Sequence, residues 1–295
     1  MLLHHAIAIT NGLDVQNRMQ QRHGSLFVVS TPIGNLGDIS ARALQTLRSV
    51  DLICAEDTRH SRQLLTHFGI ERPMQALHEH NEAEQADALV ARLLAGESMA
   101  LVSDAGTPLL SDPGFRLVRA AREAGVTVSP VPGASALLAA LAVSGQPSDR
   151  FCFEGFLPAK ATARRDRLNQ IIAEPRTLVF YESAHRIEAM LDDLLTVFGA
   201  ERQMTLAREL TKLFETVLSG SIGEVRGQVA ADANQRRGEF VLVLAGAGDD
   251  MQARLLAGRR LYARLCEHLA PAPAARLAAE LSGAPRKALY GGDTG

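Results

Sequence analysis

Tryptophan is absent from the 295 residues, and lysine is almost so: only Lys160, Lys212 and Lys287 stand among 31 basic side chains. An excess of either charge is lacking too, since 33 acidic residues leave a net charge of −2. Proteins that hold nucleic acid through non-specific phosphate contact are basic overall. Any such target must therefore be met here by local patches or by shape. Cysteine is scarce. Cys54, Cys152 and Cys266 are odd in number and widely spaced, which excludes a CxxC metal or redox site and suits a reducing compartment. No apolar run reaches membrane-spanning length. The first 24 residues, MLLHHAIAITNGLDVQNRMQQRHG, have neither a basic start nor a long apolar stretch, so they do not read as a secretory signal. They are expected to form a poorly ordered extension, and the protein to reside in the cytoplasm without contact to a membrane.

What remains is ordinary for a globular protein: 46% hydrophobic and 22% charged residues, in a chain long enough for two domains. Near-continuous apolar runs at Leu26–Ser30, Leu52–Glu56, Met99–Ser103 and Val126–Pro130 read as strands covered on both faces. Helices are expected between them. Asp38 is placed to cap one running to about Ser49. Asn81 with Glu84 suggests a capping box for one ending near Gly96, and Asp112-Pro113 a cap with a helix-opening proline. Alternation of this kind implies a parallel α/β sheet. The polar turn SGQPSDR (144–150) marks a boundary. Beyond it come strands at Phe151–Phe156, Thr177–Glu182, Gln203–Glu209, Thr216–Leu218 and Glu239–Ala245, with Thr216–Leu218, Gly220 and the short link to the next element as hairpin material, so the second sheet should be mixed. From Met251 the pattern is helical, and ARLAAELSGAPRKALY (275–290) reads as helix, glycine-containing turn, helix. The expected organisation is an extension (1–24), two α/β domains (25–145 with a parallel sheet, 150–248 with a mixed one) and a helix-turn-helix-like segment (251–290).

Four unusual loops follow the first-domain strands: STPIGNLGDIS (30–40), AEDTR (55–59), SDAGTPLLSDPG (103–114) and PVPGASALLAAL (130–141). In an open parallel sheet all four lie at the carboxyl edge, where ligands bind. The first mimics a dinucleotide fingerprint, but its spacing is GxxG, Asn35 stands where the close-approach glycine belongs, and the third glycine is missing. The rigid, acidic third loop is better suited to a small zwitterionic cofactor. Asp104 can take an ammonium, while Ser135 and the amides opening the next helix can take polar atoms of the same ligand.

The motifs STPIGNLGDIS, AEDTR, SDAGTPLLSDPG, VPGASA, FEGFLP, YESAHR and RELTKLFE occur in this order. The chain so marked resembles the ribosomal RNA small-subunit methyltransferase I family of the tetrapyrrole methylase superfamily over roughly residues 25–290. The resemblance implies a tetrapyrrole methylase-like pair of α/β domains with S-adenosyl-L-methionine between them. It also implies 2′-O-methylation of a cytidine ribose in 16S rRNA of the 30S subunit, and a homodimer. Motif by motif it places cofactor contacts at Ile33, Gly34, Asp104, Thr107, Ser135, Ala136, Glu182 and Leu210. A catalytic base carried over from related methylases falls on Glu56, with Asp57 beside it. Paired acids at a strand end raise one pKa, which suits a base; an acid there can equally serve the start of TRHSRQLL as a helix partner. Arg59, Arg62, Arg186, Arg208 and Lys212 are candidates to hold RNA phosphates, against the plainer alternative of local ion pairs such as Arg59 with Asp57. RRDR (164–167) reads as a solvated face. His78 and His80, with one glutamate and no further His or Cys nearby, do not make a metal site, and His185 is either a substrate contact or a packed or solvent-facing side chain. Two other functions compete: a small-molecule methylase of the tetrapyrrole type, and a protein that binds the cofactor without turnover.

Overall fold

The computed structural model describes residues 23–247 and 251–289, without the side chains of 251–253. Most of the expected N-terminal extension, and Tyr290 with the GGDTG tail, therefore lie outside the described residues. Gly24 is already packed, its amide donating to Leu93 O at 2.8 Å. The chain divides into two compact units, one ending at Ser135 and the other beginning at Ala136.

The first unit holds five parallel strands, β1 (Ser25–Val29), β2 (Leu52–Ala55), β3 (Met74–Ala76), β4 (Met99–Val102) and β5 (Thr127–Val131), in the order β3-β2-β4-β1-β5. Strands β2 and β4 are buried at every residue. Their side chains alternate between two cores: Leu52, Cys54, Met99 and Leu101 join one, and Ile53, Ala55, Ala100 and Val102 the other. That is why these strands read as apolar runs rather than alternating ones. Helices α1 (Ala41–Ser49) and α2 (Thr58–His67) cover the second core, and α3 (Glu82–Leu94) and α4 (Phe115–Glu123) the first. The connection leaving β1 thus goes to one face and that leaving its neighbour β4 to the other, so the switch point lies between β1 and β4. Strand β3 was not expected; three half-buried residues after Pro73 carry no periodicity. Pro130 is tolerated because β5 is an edge strand.

The three expected helix caps are all different in the structure. Ser40, not Asp38, caps α1 by accepting from Ala43 N, because Asp38 is drawn into a 3-10 turn at Leu36–Asp38. Asn81 precedes α3 without capping it: its side chain accepts from His78 N and donates to Ala76 O. Helix α4 starts after Gly114 rather than Asp112, and its first amides are satisfied from another helix. The buried Glu82 carboxylate accepts from Arg116 N at 2.6 Å and Leu117 N at 3.1 Å.

The second unit opens with α5 (Ala136–Val143). Its strands β6 (Phe151–Phe156), β7 (Thr177–Ser183), β8 (Gln203–Arg208), β9 (Thr216–Ser221) and β10 (Glu239–Leu244) are ordered β6-β7-β10-β8-β9. Only β6 and β7 pair parallel, so the sheet is mixed. Leu178, Phe180, Met204, Leu206, Leu242 and Leu244 face the core under α6 (Ala161–Gln170), α7 (Ile187–Phe198) and α8 (Ile222–Ala231). Helix α5 lies on the opposite face, where Leu137 N donates to Tyr181 Oη and Thr205 Oγ1 to Ser144 O. RRDR is not a solvated face throughout: Arg164 is buried on Asp193, Nε to Oδ2 at 2.7 Å. Helices α9 (Met251–Leu265) and α10 (Pro271–Ser282) follow. Residues 275–282 finish α10, Gly283 stops it at φ 68°, and Arg286–Leu289 close as a 3-10 turn, so the helix pair is α9 and α10 rather than two helices within 275–290.

Candidate active-site residues at the carboxyl edge of each sheet

In the first unit the loops leaving β1, β4 and β5 are bound into one rim. Thr31 and Gly106 exchange both backbone hydrogen bonds, Thr31 N to Gly106 O at 2.8 Å and Gly106 N to Thr31 O at 3.1 Å. The Thr107 hydroxyl lies 2.9 Å from Ser30 Oγ and donates to Ala134 O at 3.1 Å. There is no room for larger residues. A Cβ at Gly106, where φ is +83°, would stand 3.2 Å from Ile33 Cγ2, and one at Gly133 3.0 Å from Ser30 Cβ. Leu109 and Ser111 also hold positive φ, 73° and 70°, a conformation costly for residues with a Cβ and found where surroundings impose it. Ser135 is buried, yet its Oγ has no hydrogen-bond partner. Buried hydroxyls are normally paired, and this one is left open to a partner.

The carboxylates divide the work at this rim. Asp57 is the N-cap of α2, accepting from Arg59 N at 2.8 Å, and its other oxygen meets Arg59 Nη2 at 2.9 Å. The Arg59 hydrogen bonds hold the Asp57 carboxyl down to about 2. Asp57 is thus the helix partner, and Arg59 its ion pair. Glu56 is the opposite case: burial first, then the nearby charges of Asp112, Asp104 and Asp57, push its carboxyl up, against a backbone hydrogen bond from Asp104. Asp104 accepts from Asp57 N at 3.1 Å, which joins the loops after β2 and β4. Asp112, read from sequence as a helix cap, instead bonds to Ser103, and burial with the charge of Asp104 pushes it up to about 6. The repeated Ser-Asp of SDAGTPLLSDPG was the sequence signal for a second acid in the loop. Gly34 follows the buried Ile33 in the first loop, and Arg62 is exposed one turn along α2 from Arg59. His78, beyond the end of β3, has a buried Nδ1 without a partner. Among the described residues no group of three or more His, Cys, Asp or Glu side chains is arranged to hold a metal.

In the second unit, β7 and β8 both run antiparallel to β10, and Phe240 pairs with Glu182 on one side and Arg208 on the other. Their carboxyl ends therefore share one edge, which brings the remaining expected residues together. The fully buried Glu182 carboxylate accepts from Ser183 N at 2.8 Å on Oε1, which also lies 3.1 Å from Arg186 Nε as an ion pair without hydrogen-bond geometry, while Oε2 is unpartnered. Arg186 also donates to Leu157 O at 2.6 Å. Arg208 is buried and committed to backbone, Nε to Arg237 O and Nη1 to Phe214 O. Lys212 bridges Glu209 and Glu239 at 2.9 and 2.7 Å. Buried Leu210 sits between Glu209 and Thr211, whose φ values are 51° and 67°, and Thr211 Oγ1 is a second orphaned hydroxyl. Ala136 is the first residue of α5.

Residues 25–226 match the family model of Tetrapyrrole (Corrin/Porphyrin) Methylases, and residues 252–291 that of the RsmI C-terminal HTH domain. A protein of Xylella fastidiosa (strain Temecula1) named Ribosomal RNA small subunit methyltransferase I is 65% identical over 91% of this chain and 98% of its own length. A protein of the same name in Pseudomonas aeruginosa is 54% identical over 90% of this chain and 95% of its own. The chain belongs to the ribosomal RNA small subunit methyltransferase I family of tetrapyrrole methylases. The methylase also shares its fold with uroporphyrin-III C-methyltransferase of Thermus thermophilus solved in complex with S-adenosyl homocysteine, at 18% identity and a TM-score of 0.51 over 76% of this chain and 98% of that one. Within the first unit, the orphaned Ser135 hydroxyl, the acid at Asp104 and the glycine-lined rim suit the polar groups of a zwitterionic donor such as S-adenosyl-L-methionine. Among the described residues no helix is long and apolar enough to cross a membrane.

Proposed function

We propose that this chain methylates the 2′-hydroxyl of a cytidine ribose in 16S rRNA of the 30S subunit, with S-adenosyl-L-methionine as donor, acting as a homodimer in the cytoplasm. The observation that carries the reading is the near full-length identity to proteins named for small-subunit rRNA methylation, combined with a half-buried carboxyl at the rim, Glu56, that burial and acidic neighbours push up. When bound, the donor supplies an electrophilic methyl group on sulfur. Asp104 takes the ammonium of its amino-acid part, and Ser135 Oγ fills its missing hydrogen bond on the same ligand. Ile33, Gly34 and Thr107 supply backbone and shape around it. Glu56 accepts the ribose proton: a base works best with a pKa near the operating pH, and burial with its acidic neighbours moves this carboxyl in that direction. Asp57 holds α2 in place beside it. Among the arginine and lysine candidates, exposed Arg62 is the one without a local duty in the structure, so it meets the RNA phosphate. Arg59, Arg186, Arg208 and Lys212 act chiefly by holding loops, through the bonds given above.

Purified protein incubated with methyl-labelled donor and either 30S particles or porphyrinogens tests the reading. Label in an alkali-resistant dinucleotide of 16S rRNA is expected, since a 2′-O-methyl group blocks alkaline cleavage; label confined to porphyrinogens refutes it. Glu56→Gln should lower turnover about 100-fold, within the usual range for a lost proton acceptor, with donor affinity unchanged in calorimetry.

A further inference from the structure

Strand β6 runs along an edge of the second sheet, bonded to β7 alone. Phe153 and Phe156 stand three residues apart on it, a spacing that in a regular strand sends two side chains to opposite faces. A bulge changes this. Pairing passes from Phe153 on Val179 directly to Gly155 on Phe180, so Glu154 is an extra residue, and the buried Gly155 holds φ at 62°. Both phenylalanines therefore reach Tyr181, at ring-centroid distances of 4.9 and 5.5 Å and interplanar angles of 69° and 61°. Tyr181 is itself fixed, since its Oη accepts from Leu137 N at 3.1 Å. Phe156, the last residue of β6, stays 54% exposed. Its contact with Tyr181 is edge-to-face and not stacked, so the ring keeps a π-face open to a flat partner.

We infer that Phe156, propped by Tyr181 and Phe153, is the platform on which an unpaired base of the substrate RNA stacks, with the Lys160 ammonium on a neighbouring phosphate. A ribose hydroxyl can be aligned with a methyl donor only if its nucleotide is held. Proteins hold unpaired nucleotides by stacking bases on aromatic rings beside basic side chains. Charge singles out this occupant. Residues 156–170 carry four basic side chains against one acid, Asp166, in a chain whose net charge is −2. Arg164 and Arg165 share Asp193, and Arg167 takes Glu154. Lys160 is exposed and has no ion-pair partner among the described residues. It occupies the N-cap of α6 without making a cap hydrogen bond, a position where neither capping nor the helix dipole favours a cation. Its charge therefore serves a ligand and not the helix. The inference rests on the rRNA reading above and names how that substrate is held.

Steady-state methylation of 30S particles over a range of particle concentrations tests it. Phe156→Ala should raise KM for the particles about 10-fold or more, the usual loss when one stacked base goes unsupported. Its kcat should fall by less than that, and donor affinity in calorimetry should hold. Phe156→Trp should keep KM near wild type. Phe156→Leu, apolar but without a π-face, should behave as the alanine variant and decides the matter should that variant misfold. Lys160→Ala should raise KM and flatten its salt dependence by about one phosphate contact. A wild type that methylates porphyrinogens and no rRNA overturns the rRNA reading and this platform together. Methylated rRNA with a wild-type KM in Phe156→Leu overturns the platform alone, because an apolar side chain without a ring would then suffice.

Discussion

Asp112 offers the sharpest test of how the rim works. Its carboxyl is pushed from the ordinary 3.8 to about 6, first by burial and then by the charge of Asp104, with the Ser103 hydrogen bond opposing. The native chain therefore holds this proton more tightly than the unfolded chain does. Stability from the group is fully present below the unfolded value and is lost as pH rises through about 6. A displacement of about two units at about 1.4 kcal/mol each sets a ceiling of about 3 kcal/mol. The side chain is only half-buried, and solvent screening reduces the figure to about 1–1.5 kcal/mol. Asparagine keeps the shape and a hydrogen bond to Ser103 but never ionises. Asp112→Asn should accordingly match wild type in urea unfolding at pH 4, and exceed it at pH 8 by about 1–1.5 kcal/mol, roughly a tenfold change in the unfolding constant. The same substitution removes a negative neighbour from Glu56, so the acidic limb of the pH–rate profile should move to lower pH. Equal stability differences at both pH values, or a variant weaker than wild type at pH 8, would refute the reasoning.

Glu82→Ala should cost about 3 kcal/mol in urea unfolding, because it strands the Arg116 and Leu117 amides that the buried carboxylate now satisfies. It should also weaken donor binding in calorimetry, since α4 begins where the acidic loop ends. Arg164→Met should destabilise by about 3 kcal/mol, at the low end for a broken buried pair because Arg165 remains 3.3 Å from Asp193. Arg164→Met combined with Asp193→Leu should recover most of that loss, and a double variant as weak as the single one would show that the pair itself is stabilising.

Ordered motifs and strand alternation were enough to read two α/β domains, a parallel first sheet, a mixed second one and a family. Both faces of β2 and β4 are covered, so their apolar runs survive any view of the chain. Local spacing failed where the partner came from elsewhere. Helix α4 was assigned a cap at Asp112, yet its amides are met by Glu82 across 34 and 35 positions. The acid freed by that arrangement became an electrostatic neighbour of Glu56. RRDR looked solvated until Asp193 of α7 closed on Arg164. Glu56 and Asp57, indistinguishable as neighbours in sequence, were separated by the direction each side chain takes: one toward Arg59 and water, the other into the rim.

The sequence by itself determined which elements exist and which loops leave the strands at one edge, because strand and helix periods, glycine and proline act over a few residues. Tertiary structure alone decided which carboxyl is a cap and which is pushed up by burial and acidic neighbours, and which arginine is buried and which meets solvent. Those assignments depend on burial, charge and hydrogen-bond partners brought together from positions far apart in the chain, and no local pattern encodes such distances.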